Sequence, residues 1–420
     1  MTDRRKPFLA PACPGKPLLA CLLSLLAAVG SAKAGAGIQY IEPNNDTGTS
    51  RVVIVDDTAQ AHTAQLLPLD RDGRLVGKGD AAAQAEKILD NLEAALGAVH
   101  SGLDRAVKIN IYATGPEVVA EVQKVFARRF RGEAKPAVSF VTGKLAHPEA
   151  LVAMDAVAVA PDSGHEVKRV RSAALPGAKG GSHVAVLPPG ARVYISGQAE
   201  KGDLAAATRK TLESLRATLK FLGLNDSDIV QLKAFMHPMS AAGTVEEEMA
   251  RHFGGQAVPP LVLVEWSSTL PIEIELIAST PRSKDKYADV IEYLTPPGMQ
   301  ASPLFSRVAR INRGKTIYVS GLYAGRAASA EEQIAEVFTE LGRLLDKAGS
   351  DFRHLAKATY YVTDDAASRK LNELRPRYYD PRRPPAASKA MVAGTGQPGK
   401  TITLDMIAVP SPLRAEGKPE

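Results

Sequence analysis

One segment reads letter for letter as a phosphate-binding loop: Gly394-Thr395-Gly396-Gln397-Pro398-Gly399-Lys400-Thr401 fits G-x-x-x-x-G-K-[ST]. That chemistry needs a helix directly after the loop, so that its backbone N–H groups and dipole meet the phosphate. Thr401 instead opens TITLDMIAV, an alternating β-branched run that predicts a strand. The segment is therefore expected to be a hairpin loop without nucleotide. The eight histidines are scattered, with no His-x-x-x-His pair and only two cysteines in the chain, so no zinc or other metal site is expected. Gly177 to Gly181 is glycine-rich and reads as a flexible loop. Three hydroxyl-bearing segments recur instead: Thr63-Ala64-Gln65, Ser196-Gly197-Gln198 and Ser320-Gly321-Leu322.

Each of these triplets sits at the same place in a repeated unit. An apolar strand precedes it, and a polar loop follows to an N-cap candidate: Asp80, Asp203 and Ser329. Helices with one apolar stripe come next. Strands starting at Lys108, Lys233 and Lys357 follow, 125 and 124 positions apart. After a second helix come Pro136-Ala137-Val138-Ser139, Pro259-Pro260-Leu261-Val262 and Pro385-Ala386-Ala387-Ser388. LVAMDAVAV, IEIELIA and TITLDMIAV close the three units. The expected order within a unit is strand–strand–helix–strand–helix–strand–strand, an α+β arrangement with helices on one face of a sheet. Units over 38–160, 166–280 and 290–410 are joined by polar linkers, with a disordered tail over 411–420.

With 420 residues, 45% hydrophobic and 23% charged, the chain has the composition of a soluble multidomain protein. Its N-terminus reads as an export signal over 1–34. Arg4, Arg5 and Lys6 precede an apolar run from Leu18 to Gly30, and Ala32-Lys33-Ala34 offers a small-x-small cleavage site. Arg4-Arg5 leaves the twin-arginine route open beside the general secretory one. Cleavage after Ala34 removes five positive charges and one negative, taking the formal charge from +6 to +2, and removes Cys13 and Cys21 as well. The mature chain then has no thiol chemistry. Its weak charge and 5% aromatic content argue against nucleic acid. A periplasmic or secreted location follows, with no membrane association after cleavage.

This layout resembles the RidA (YjgF) family of enamine/imine deaminase-like proteins. PPGMQASPLFSRVARI, the VSG and ISGQ strands, the Pro-x-x-Ser strands and IEIELIA carry the resemblance three times over. It implies a chorismate-mutase-like fold and a trimer with ligand clefts between subunits. Here one chain would build that trimer from its own domains: a monomeric pseudo-trimer, sheets inside and helices outside, using no cofactor. In the family an arginine on the Pro-x-Arg-Ser strand grips the substrate carboxylate, and its planar fork suits that role. The matching positions here are Val138, Leu261 and Ala387, so all three copies lack it.

The resemblance also assigns the remaining site positions. The hydroxyl is matched to Thr63, Ser196 and Ser320. The water-holding acid is matched to Glu273, with Ala153 and Thr403 in the other copies. The cleft aromatic is matched to Phe305, with Thr49 and Gly181 elsewhere. Lys389 lies two residues beyond Ala387 and so shares its strand face, where it could hold an anion as a point charge. The plain alternatives are a solvent-exposed strand glutamate and a surface lysine. Two functional readings result. One is a binding protein holding small metabolites, of enamine/imine or carboxylate type, in its clefts. The other is an imine or enamine deaminase, a hydrolase with Glu273 and Ser196 as catalytic groups and Lys389, Phe305, Ser320 and Thr63 binding ligand. The family's older label of endoribonuclease draws no support from charge or aromatic content.

Overall fold

The computed structural model describes residues 33–34, 37–161, 164–177, 180–282, 289–326 and 329–412. The charged and apolar parts of the expected export signal, and most of the expected tail, lie outside the described residues. After a short β1 (Lys33–Ala34), repeat 1 contains β2 (Ile38–Asn44), β3 (Thr49–Val55), β4 (Gln60–Thr63), α1 (Ala81–Gly97), β5 (Ala106–Ala113), α2 (Pro116–Arg129), β6 (Ala137–Thr142) and β7 (Val152–Val159). Repeat 2 contains β8 (Lys168–Val170), β9 (Val184–Leu187), β10 (Arg192–Gln198), α3 (Leu204–Phe221), β11 (Ile229–Met236), α4 (Ala242–His252), β12 (Leu261–Glu265) and β13 (Ile272–Ser279). Repeat 3 contains β14 (Ile291–Leu294), β15 (Val308–Ile311), β16 (Thr316–Val319), α5 (Ala330–Lys347), β17 (Leu355–Val362), α6 (Asp365–Leu374), β18 (Ala386–Met391) and β19 (Ile402–Ala408).

The long helices begin where the capping residues predict. Asp80, Asp203 and Ser329 accept hydrogen bonds from the N–H groups of Ala83, Ala206 and Glu332, and Ser329 with Glu332 completes a capping box. Each helix pair buries its apolar stripe on its own repeat's strands. Leu89 and Leu92 do so in repeat 1, Leu212 and Leu215 in repeat 2, and Val337 and Leu341 in repeat 3. The phosphate-loop look-alike connects β18 to β19, strand to strand, as its sequence predicts.

Strand order departs from the expected unit. Three strands, not two, precede the first helix of each repeat, and the first two of them join a different repeat's sheet. Repeat 1 supplies β6-β5-β7-β4, and β9-β8 of repeat 2 complete that sheet. Repeat 2 supplies β12-β11-β13-β10, completed by β15-β14 of repeat 3. Repeat 3 supplies β18-β17-β19-β16, continued by β3 of repeat 1 with β2, and the Ser50–Ala137 pairing of β3 with β6 joins these strands to those of repeat 1 in one 13-stranded sheet. Thus Leu187 pairs with Gln60, while Arg192, five residues on, pairs with Ser279 and Ile311. Pro188-Pro189 lies in this link, and a proline has no N–H to give a hairpin.

The exchange gives the repeats a shared interior. One apolar cluster draws Tyr40, Val53 and Val107 from repeat 1, Tyr194 and Ile277 from repeat 2, and Ile311 and Tyr318 from repeat 3. Beside it lie the three strand lysines and three carboxylates, one of each per repeat, all buried. Lys108 Nζ meets Asp405 at 3.0 Å and also donates to Ser139 Oγ and the Val319 carbonyl. Lys357 meets Glu275 at 2.8 Å, and Lys233 approaches Asp405 at 3.9 Å. Asp155 accepts from Asn110 and the Tyr112 hydroxyl. Burial would raise the Asp405 pKa, yet the three lysines outweigh it and hold it down at about 2.

Candidate functional site

Equivalent backbone bonds fix the register where consecutive repeats meet. The N–H of Ser196 donates to Arg307 O, that of Ser320 to Arg51 O, and that of Ala64 to His183 O. Ala64, not Thr63, therefore stands in the serine position. Thr63 is fully buried one residue earlier, and its Oγ1 accepts from the Ala156 N–H. The expected match of Thr63 to Ser196 and Ser320 is off by one, and one step along a strand exchanges faces. The serine position of repeat 1 therefore brings no hydroxyl to the cleft it shares with repeat 2.

The three clefts differ sharply in content. Where repeats 1 and 2 meet, Ala64, Gly181 and Leu261 line a cavity of about 120 Å³ together with Met249 and Leu263, while Ala153, in the acid position, is fully buried. Where repeats 3 and 1 meet, a cavity of about 740 Å³ is lined by Thr49, Phe126, Val138, Phe140, Ser320 and Tyr323. There Ser320 Oγ donates to Ser50 O at 2.6 Å and accepts from the Val138 N–H at 2.8 Å, so its hydrogen-bonding capacity is largely used. Thr403, in the acid position, is buried, and its Oγ1 has no hydrogen-bond partner among the described residues.

Where repeats 2 and 3 meet, the polar residues gather. Glu273 on β13 lies against Gly197: a Cβ built there would fall 1.9 Å from Glu273 Oε1, so the carboxylate uses space that only glycine leaves. Ser388 on β18 accepts the Gly197 N–H at 3.2 Å and lies close enough to the Glu273 carboxylate to favour its ionised form. Ser388 was recognised only as a repeat landmark, and its link to the acid depends on which repeats face each other. Ser196 Oγ is buried without a hydrogen-bond partner among the described residues. Phe305, half-buried, carries the Arg307 guanidinium 4.8 Å above its ring, and Ser306 beside it pairs with Ala386 at the start of β18.

Electrostatics tie Lys389 to this group. Burial lifts the Glu273 pKa to about 7, with Ser388 and Lys389 opposing the rise and Glu275 adding to it. Burial lowers the Lys389 pKa, as does the positive charge of Arg375, while Glu273 and Asp365 pull it back up. Both residues are partly buried, so neither matches the plain alternative of a solvent-exposed side chain. Ser196, Glu273, Phe305 and Lys389 share one cleft, Ser320 belongs to another, and Thr63 to none.

A family model described as Endoribonuclease L-PSP matches residues 47–160, 174–280 and 299–409. The chain belongs to this family, the RidA family, in three tandem copies. Protein DfrA of Myxococcus xanthus is 36% identical over 112 residues, 26% of this chain and 83% of that one. The 2-iminobutanoate/2-iminopropanoate deaminase of Capra hircus is 28% identical over 116 residues, 26% of this chain and 82% of that one. Among solved structures, a Rid-family protein of unknown function from Yersinia pestis, YyfB, is 25% identical. It covers 29% of this chain and 98% of its own, with a TM-score of 0.28.

Within this RidA chain, no group of three His, Cys, Asp or Glu residues among the described residues is arranged to hold a metal ion. The chemistry available is that of a half-ionised carboxylate near neutral pH, a serine hydroxyl close to it and an unpaired second hydroxyl. Such a carboxylate can take a proton from water and return it in a later step.

Proposed function

We propose that this RidA-family chain is an imine or enamine hydrolase with one catalytic cleft, formed by repeats 2 and 3. The observation that carries the reading is the convergence of Glu273, Ser388, Ser196 and Lys389 on that cleft, with the carboxyl poised at about 7. Glu273 takes a proton from water as the water oxygen bonds to the imine carbon. Returning that proton to nitrogen gives a carbinolamine; Glu273 then carries the hydroxyl proton to the same nitrogen, the C–N bond breaks, and ammonia leaves behind a carbonyl. Lys389 faces the anionic part of the substrate, and Phe305 supplies an apolar wall. The deaminase relative supports a small 2-imino acid as substrate.

A binding role is favoured at the cleft of repeats 3 and 1. Thr403 stands in its acid position, and its cavity of about 740 Å³ sets the apolar Phe126, Val138 and Phe140 against polar residues such as Asn44, Asp46, Arg51 and Gln123. The cyclic exchange of strands supports a monomer with internal pseudo-threefold symmetry, and the N-terminal sequence supports export to the periplasm or beyond.

The test is turnover of 2-iminopropanoate, generated in situ from alanine by an amino-acid oxidase and trapped as a semicarbazone. Glu273→Gln should lower the rate by about 10²–10⁴-fold, the usual worth of a general base. Thr403→Val, in a different cleft, should leave it within a few-fold. Full turnover in Glu273→Gln would sink the reading.

A further inference from the structure

At the C-terminal end of α6, Arg375 occupies a position that the other repeats fill with an apolar side chain. Counted ten residues back from Pro136, Pro259 and Pro385, the equivalents are Phe126, Met249 and Arg375. Phe126 lines the cavity of one cleft beside Val138 and Phe140, and Met249 lines that of another beside Leu261 and Leu263. In repeat 3 the strand positions matching those pairs are Ala387 and Lys389. The equivalent place is therefore the wall of the cleft that holds Glu273. Ala387 is smaller than either Val138 or Leu261.

Arg375 is only 4% exposed, yet no carboxylate pairs with it among the described residues. Its guanidinium donates to Asn372 Oδ1 at 3.1 Å, hydrogen-bonds the Tyr360 hydroxyl and lies 5.1 Å over the Tyr360 ring. Its Nε is buried without a hydrogen-bond partner among the described residues. Tyr360 on β17 is the direct cross-strand neighbour of Lys389 on β18, which brings the second cation alongside. A buried guanidinium and a half-buried ammonium side by side repel each other and lose hydration, a cost that an anion between them would offset. A guanidinium also offers the planar two-donor fork that a carboxylate accepts, which an ammonium alone does not.

We infer that Arg375, held by Asn372 and acting with Lys389, is the carboxylate-binding guanidinium of this cleft, reaching it from the helix instead of the strand. This rests on the hydrolase reading for the identity of the cleft, but carboxylate binding can be measured without turnover. The probe is pyruvate, a 2-oxo carboxylate, titrated calorimetrically into the full chain, with the neutral methyl ester as control. Arg375→Met, which installs the residue of repeat 2, should fold normally by circular dichroism. It should weaken pyruvate binding about ten- to hundredfold, the usual loss for one charged hydrogen-bonding partner. Arg375→Lys should recover part of that loss, and the ester should bind poorly to every form.

Equal pyruvate affinity in Arg375→Met and wild type would overturn the inference, as would failure of the wild type to bind pyruvate better than its ester. An unfolded Arg375→Met would shift the decision to Asn372→Ala, which frees the guanidinium from its tether and should weaken pyruvate severalfold. An unchanged affinity there would overturn it too. If pyruvate binds through Arg375 but no imine is hydrolysed, the hydrolase reading fails while this one stands. If imine is hydrolysed with an unchanged KM in Arg375→Met, the reverse holds.

Discussion

Replacing Glu273 with glutamine should stabilise the protein at high pH and do little at low pH. A folded-state pKa of about 7 against an ordinary 4.5 means that the folded protein holds the proton more tightly than the unfolded chain. The stability associated with that proton is fully present below pH 4.5 and is lost as pH rises through 7. The interval corresponds to roughly 3 kcal/mol at 1.36 kcal/mol per pH unit, an upper value because the side chain is partly exposed. Glutamine does not ionise, so Glu273→Gln avoids this loss. At an unfolding entropy of about 2.1 cal/mol/K per residue, a chain of this length gains or loses roughly 0.8 kcal/mol per degree. The variant should therefore melt about 4 °C above the wild type at pH 8.5 and within a degree of it at pH 4.5. Calorimetric melts of both proteins across that range give the comparison directly. A melting difference that stays constant with pH would refute the placement of a buried, destabilising carboxylate in this cleft.

Hydrolysis should likewise rise with pH through about 7 as Glu273 ionises, and a rate–pH profile with no such inflection would count against its role as base. Gly197→Ala should cost at least about tenfold in turnover with a small change in melting temperature, because the new Cβ would fall 1.9 Å from Glu273 Oε1. The same change at Gly321, where the nearest atom is Thr403 Oγ1 at 3.2 Å, should leave turnover within a few-fold. Asp405→Asn should destabilise the fold by about 3–5 kcal/mol in urea titration, since it strands Lys108 and Lys233 as buried charges. Light scattering should give the mass of one chain, and intact-mass analysis of exported material should give an N-terminus near Gly35.

Much of the architecture is legible in the chain because its signals are local. N-caps, apolar stripes and three sets of landmarks at one period each depend on residues close in sequence. The strand exchange is not local: a link such as Pro188-Pro189-Gly190-Ala191 is short enough for a hairpin and long enough to cross between sheets. The register of Thr63 is not legible locally, because Thr63-Ala64-Gln65 imitates Ser196-Gly197-Gln198 by type. The pairings of Leu66 with Met154 and Gln198 with Ile274 show the two segments offset by one. Glu273 and Lys389 were each visible as candidates, but that they face one cleft depends on which repeat adjoins which. Arg375 lay unseen in a run of arginines from 375 to 383 that reads as solvated surface.

The two classes of buried charge respond differently to fusion of the copies. Lys108, Lys233 and Lys357, with Asp155, Glu275 and Asp405, keep three positive and three negative groups in one enclosed network. Neutralising any one of them leaves an uncompensated charge that the other copies cannot relieve. That network is common to all three repeats and is retained in each. A cleft, in contrast, touches only two repeats, so a change at Ala64 or Val138 alters one cleft and leaves the others intact. In an oligomer of identical chains each such substitution would appear in every cleft at once. A single chain can therefore lose the acid at Ala153 and Thr403 while keeping Glu273. It can also place an arginine at 375 without forcing one into the cores that Phe126 and Met249 fill. The third cleft can bear a destabilising carboxylate and two close cations because the rest of the molecule, with its exchanged strands and paired interior charges, does not share that cost.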